Sequence, residues 1–217
     1  MKKVAVILSG CGVFDGSEIH EAVLTLLAIE QNGAQYQCFA PDVEQLHVVN
    51  HLSGEVAEDQ TRNVLVESAR IARGEIKAIT ELAVDDFDAL ILPGGFGAAK
   101  NLSDFAVNGD QAQVQNDVLT ACQAFASAGK AAGYICIAPA MLPLVYGTGV
   151  KGTIGSDEGT AQAIAAMGGQ HVNCPVTEFI VDEHHKVVST PAYMLAGSIS
   201  EAATGINKLV EKVISLA

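Results

Sequence analysis

The 217-residue chain has no tryptophan, and aromatic side chains make up only 5% of it. Hydrophobic residues still reach 49%, so Ala, Val, Leu and Ile must fill the core. That composition suits a sheet covered by helices on both faces, whose strands read as continuous apolar runs. Positive charge is scarce: 12 Lys and Arg stand against 25 Asp and Glu, for a net charge of -13. Such a surface repels phosphate backbones and anionic headgroups, so nucleic-acid and membrane partners are not expected; plain solubility accounts for the charge. No stretch approaches the ~18 uninterrupted apolar residues of a spanning helix. No Pro/Ser-rich linker or low-complexity tract divides the chain, and one domain over residues 1–217 is expected. There is no CxxC pair. Cys11, Cys38, Cys122, Cys136 and Cys174 are odd in number and widely spaced. They fit reduced thiols rather than a disulfide framework or a zinc site. Met-Lys-Lys runs straight into VAVILSG, too short a segment for a signal-peptide core. A cytoplasmic location is therefore expected.

What is present is an alternation of short apolar runs and longer amphipathic ones. Lys2–Ser9, Tyr36–Ala40, Phe87–Leu92 and Ala131–Cys136 read as strands, with a short extended piece at Ile76–Ile79. Helices are expected from Ser17, as cap, to Gln31, then over Thr61–Arg70, Val114–Ala128, Gly159–Met167 and Met194–Leu216. In the first helix Val23, Leu24 and Leu27 mark the expected core face. Asp182-Glu183-His184-His185 should turn a hairpin between Phe179–Val181 and Lys186–Thr190. The pattern predicts an α/β, doubly wound, mainly parallel sheet with helices on both faces and a small antiparallel hairpin. The loops Ser9–Glu21, Pro93–Asn101, Cys136–Met141 and Thr190–Tyr193 should meet outside the carboxyl ends of its strands.

Cys136 lies in AAGYICIAPAML, between an apolar strand and a helix start. Helix N–H groups there would favour thiolate and lower the thiol pKa, as at a nucleophile elbow. A buried structural cysteine fits the same position. Pro93-Gly94-Gly95-Phe96-Gly97 follows a buried strand. Its N–H groups could form half of an oxyanion hole, with the N–H of Ile137 as the other half; a tight turn or a phosphate loop are the alternatives. Glu18, His20 and Glu21 open the first helix, either as an acid/base group beside the thiol or as helix-dipole carboxylates with a solvated histidine. His184 and His185 read as a solvated turn, His47 and His51 as members of a polar loop, and Cys11 as a packing residue or a second thiol. No metal site is expected.

The stretches VAVILSGCGVFDGSEIHEAV, LILPGGFGAAKNLSDFA, GYICIAPAMLP and VVSTPAYMLAGSISEAATGI resemble the ElbB proteins over the whole chain. These are isoprenoid-biosynthesis or glyoxalase-type members of the DJ/PfpI branch of the class I glutamine amidotransferase-like superfamily. The resemblance implies a flavodoxin-like fold and a homodimer. It makes Cys136 the nucleophile and Glu21 its acidic partner, and puts Gly94 and Gly95 at the oxyanion hole. The chain departs from the amidotransferases in reading Gly-Tyr-Ile-Cys136-Ile-Ala instead of G-x-C-x-G. It departs from the PfpI-type proteases in having Ile137, not His, after the cysteine. Thr190-Pro191-Ala192-Tyr193 stands where an amidotransferase places its late His-x-Glu. What this implies is a cofactor-free glyoxalase acting on a small dicarbonyl. A redox sensor using the same thiol and an ammonia-supplying amidotransferase subunit are the alternatives.

Overall fold

The computed structural model describes all residues from Met1 to Ala217. The strands are β1 (Lys3–Ile7), β2 (Gln35–Ala40), β3 (Ile76–Ala78), β4 (Ala89–Leu92), β5 (Ala131–Ile135), β6 (Lys151–Gly152), β7 (Gln170–His171), β8 (Ile180–Asp182) and β9 (Val187–Thr190). The helices are α1 (Ile19–Gln31), α2 (Val64–Ile71), α3 (Phe96–Lys100), α4 (Phe105–Asn108), α5 (Asn116–Ser127), α6 (Leu142–Tyr146), α7 (Glu158–Ala166) and α8 (Ile199–Leu216). Seven strands form one sheet in the order β3-β2-β1-β4-β5-β9-β8. All its pairs are parallel except β8 with β9, the expected hairpin. β6 and β7 form a separate parallel pair. The fold is the doubly wound α/β arrangement that the residue pattern predicted, in the flavodoxin-like form that the resemblance implied.

Alternation along β1 shows why the strands are apolar throughout. Val4, Val6 and Leu8 join a core layer with α1 and α8, whereas Ala5 and Ile7 join the opposite layer with α5. Successive side chains point to opposite faces, and here both faces are dry. The chain leaves β1 toward β2 and β3, then returns to place β4 on the other side of β1. That reversal is the switch point at which ligands bind in such sheets.

Several boundaries differ from expectation. Glu18, not Ser17, caps α1, accepting the Glu21 N–H at 2.7 Å. Ser17 Oγ instead accepts the Ser9 N–H at 2.9 Å and fixes the first loop. The core face of α1 is Glu21, Ala22, Thr25, Leu26, Ala28 and Ile29. Of the face expected, Leu24 packs against the core, whereas Val23 and Leu27 are exposed with Ile19 as an apolar stripe. α3 forms where the residue pattern indicates a loop, because Gly95 at φ 93° turns the chain sharply after β4. α8 starts only at Ile199, capped by Ser198 Oγ on the Glu201 N–H at 3.2 Å. The first loop is further held by Asn101, whose Nδ2 donates to the carbonyls of Ser9 and Asp15, each at 2.9 Å. No helix is long and apolar enough to cross a membrane.

Candidate active site

Glu21 sits in the first turn of α1 and is completely buried. Each of its carboxyl oxygens takes one backbone N–H. Oε2 accepts from Gly94 at 2.9 Å, in the loop after β4, and Oε1 from Tyr193 at 3.1 Å, after β9. Cys136 leaves β5 at φ 63°, a left-handed conformation that costs a side-chain-bearing residue roughly 1–2 kcal/mol. The bend is fixed by its own N–H, which donates to the Thr190 carbonyl at 2.9 Å. The sulfur lies beside the Glu21 carboxyl, with the N–H groups of Gly95 and Ile137 directed at it. The loops of β1, β4, β5 and β9 thus meet as the sequence pattern required.

Gly94 is the floor on which the pair rests. A Cβ there would stand 2.7 Å from Glu21 Oε2 and 2.8 Å from the Ile135 carbonyl, distances real Cβ atoms do not adopt. Its N–H, expected at an oxyanion hole, is committed to Glu21 instead. The N–H groups of Gly95 and Ile137 are the ones left beside the sulfur.

Burial pushes the Glu21 carboxyl up to about 8, helped by the charge of Glu18 and opposed by the N–H groups of Tyr193 and Gly94. Burial also pushes the Cys136 thiol well above its ordinary value, and a charge on Glu21 adds to this. The expected lowering of the thiol pKa is therefore corrected. The turn after Cys136 is a four-residue 3-10 segment, Ala138–Met141, whose short dipole does not offset burial beside a carboxyl. Two adjacent anions repel strongly in a dry site, so the pair carries at most one negative charge near neutrality.

A cleft of about 380 Å³ opens on Cys136. It is lined by Val13, Glu18, Gly95, Phe96, Ala99, Phe105, Ala106, Ile137, Asp157, Thr160, Tyr193 and Met194. No histidine lines it. His20 lies outside, half exposed, with Nδ1 2.9 Å from the Tyr193 hydroxyl. Tyr193, which seals Glu21 through its backbone, carried no residue signal of that role. Nor did Phe105, Asp157 and Met194, which come from elements remote in sequence. His51 stacks on Phe14 with ring centroids 5.0 Å apart, and its Nε2 accepts the Phe14 N–H at 3.2 Å. His185 pairs with Asp182 at 3.0 Å. Neither these histidines nor His47 or Cys11 lines the cleft. No group of three or more His, Cys, Asp or Glu side chains is gathered so as to hold a metal ion.

No protein-family model matches the chain. Among curated proteins it is 46% identical, over an alignment of 223 positions, to human "glutamine amidotransferase-like class 1 domain-containing protein 3, mitochondrial", covering 99% of this chain and 83% of that protein. A crystal structure of an isoprenoid biosynthesis protein with an amidotransferase-like domain from Ehrlichia chaffeensis is 38% identical, with a TM-score of 0.93 and coverage of 100% of this chain and 99% of that one. Glyoxalase III from Candida albicans shares the fold at a TM-score of 0.65 and 15% identity, over 99% of this chain and 97% of that one. The human protein and the ES1 proteins of rat and zebrafish are all named mitochondrial, which overturns the expected cytoplasmic location.

Proposed function

The chain belongs to the family of ES1 and glutamine amidotransferase-like class 1 domain proteins, within the DJ-1/PfpI superfamily, and on that premise we propose that it converts glyoxal and methylglyoxal to 2-hydroxy acids without glutathione. The observation that carries this is the isolation of the pair. A buried thiol and a buried carboxyl held near neutrality share one glycine floor, and no histidine reaches them. Acyl transfer from glutamine calls for a third group to relay protons, whereas an internal redox isomerisation needs one nucleophile and one acid/base.

The steps balance without an outside oxidant. The Cys136 sulfur adds to the aldehyde carbon while its proton passes to the Glu21 carboxylate and on from Glu21 to the carbonyl oxygen, forming a hemithioacetal. The N–H groups of Gly95 and Ile137 steady the developing oxyanion. Glu21, now a carboxylate, removes the hydrogen from that carbon, and the electrons move to the neighbouring carbonyl as an enediol. The hydroxyl proton passes from the first oxygen to the second, and Glu21 returns its proton to the second carbon. The first carbon is oxidised by two electrons and the second reduced by two, leaving a 2-hydroxyacyl thioester. Water cleaves the C–S bond, releasing glycolate or lactate and the thiol.

A second reading has one observation in its favour: a protonated Glu21 beside the sulfur is placed to hold a sulfinate. Two equivalents of peroxide would take the thiol to sulfinic acid with release of two waters. Methylglyoxal consumption and lactate formation, measured for the wild type, Cys136→Ala and Glu21→Gln, separate the two. Turnover lost in both variants is the result expected. A rate that survives Cys136→Ala overturns the glyoxalase assignment, and no rate with stoichiometric peroxide uptake at Cys136 transfers the site to sensing.

A further inference from the structure

Resting on the assignment of Cys136 and Glu21 as an oxoaldehyde-converting pair, we propose that the carbonyl compound this cleft is built for is uncharged and carries an apolar arm much larger than a methyl group. Glu18 and Asp157 turn its anionic relatives away. Three observations point there.

The first is size. The cleft measures about 380 Å³, within the ~300–1,000 Å³ of pockets that enclose drug-sized ligands. Methylglyoxal has five heavy atoms and leaves most of that space to water. The second is the wall. Val13, Phe96, Phe105, Ile137 and Met194 supply apolar surface to the cleft, and Phe96 keeps 49% of its area exposed. Phe105, Ile137 and Met194 are backed by the buried cluster of Ala140, Ile154 and Ile164, so this surface is firm. An apolar arm laid along it removes surface from water on both partners.

The third is charge. The acidic groups lining the cleft are Glu18 and Asp157; Tyr193 is the other ionisable side chain besides Cys136, and no lysine or arginine joins them. Asp157 caps α7 through the Thr160 N–H at 2.8 Å, which holds its carboxyl below the usual range and keeps it ionised. Glu18 Oε2 accepts the Glu21 N–H, and its Oε1 lies 3.9 Å from His20 Nδ1. Lys100 approaches the ring of Phe96 at 5.2 Å, but its Nζ donates to the Phe14 carbonyl at 3.0 Å. A phosphate, diphosphate or carboxylate on the ligand would meet two carboxylates and no cation of the wall. Phosphorylated trioses, oxoacids and prenyl diphosphates are excluded on the same ground.

The test does not depend on turnover. Alkylation of Cys136 in the full chain is followed by mass spectrometry of its peptide, with iodoacetamide, N-phenyl iodoacetamide and iodoacetate. Each rate is divided by the rate with a free model thiol. N-phenyl iodoacetamide should exceed iodoacetamide by about tenfold, and iodoacetate should fall about tenfold below it. The iodoacetate deficit should shrink several-fold in Asp157→Asn, which keeps the helix cap. Equal normalised rates for the three reagents overturn the proposal. Turnover of phenylglyoxal and methylglyoxal, with Cys136→Ala as control, is measured alongside. A higher kcat/KM for methylglyoxal overturns the proposal and spares the glyoxalase assignment. No Cys136-dependent turnover of either overturns that assignment, while the alkylation ranking still decides what the cleft admits.

Discussion

Replacing Glu21 by Gln tests the buried acid directly, because its effect on stability should change sign with pH. The carboxyl rises from 4.5 to about 8 on folding. Between those values the folded chain holds a proton that the unfolded chain has lost, so stability falls as pH rises across the window. Below pH 4.5 both states are protonated and the group has no effect; above about 8 the loss is complete. The slope is ~1.4 kcal/mol per pH unit, giving a total of about 5 kcal/mol over the window. The amide of the variant cannot ionise and escapes this loss. It has its own defect: Glu21 accepts one N–H at each oxygen, from Gly94 and Tyr193, and an amide turns an NH₂ group toward one of them. That mismatch costs roughly 1–3 kcal/mol at any pH. Glu21→Gln should therefore be less stable than wild type by about 1 kcal/mol at pH 5, equal it near pH 6, and exceed it by about 3 kcal/mol at pH 9. Urea unfolding of both proteins from pH 5 to 9 measures the difference, in which other titrating groups largely cancel. A difference constant across that range would show that Glu21 ionises as an ordinary carboxyl and would refute the reasoning.

Two glycine exchanges probe the same geometry by other routes. Gly94→Ala forces a methyl group against Glu21 Oε2 and the Ile135 carbonyl, so it should lower stability by about 1–3 kcal/mol and suppress alkylation of Cys136, measured by urea unfolding and iodoacetamide kinetics. Cys136→Gly removes the side chain from a φ of 63°. It should be more stable than Cys136→Ala by about 1 kcal/mol in the same unfolding assay, although glycine is the floppier residue when unfolded; the reverse order would mean that the bend stores no strain.

Much of this architecture is legible in the residues alone. Val4 to Leu8 and Ala131 to Ile135 are apolar without a break because both faces of their sheet are covered, and short runs of this kind at regular spacing point to such a sheet. Cys136 stands out because a strand ends where small residues begin. The first helix misleads for a specific reason. Its core face carries Glu21 and Thr25, both fully buried, while Ile19, Val23 and Leu27 lie outside. A count of apolar residues selects the wrong side when a buried carboxyl itself occupies the right one. The direction of the thiol shift is also hidden, since the strand-to-helix position suggests a dipole but does not reveal how completely the sulfur is enclosed. The residue pattern puts Gly94 at the site but gives its N–H the wrong partner, because spacing does not say which way an N–H points. The cleft wall cannot be read at all: Phe105, Asp157 and Met194 are brought together only by the fold.

The two backbone donors that seal Glu21 lie 73 and 172 positions further along the chain. While the polypeptide is still being made, residue 21 has neither of them, and its carboxyl is an ordinary solvated anion next to a helix that has nothing to pack on. The last contact can form only once Tyr193 has been made. The paired centre at Cys136 is thus tied to Tyr193: a product that stops short of that residue exposes a plain cysteine.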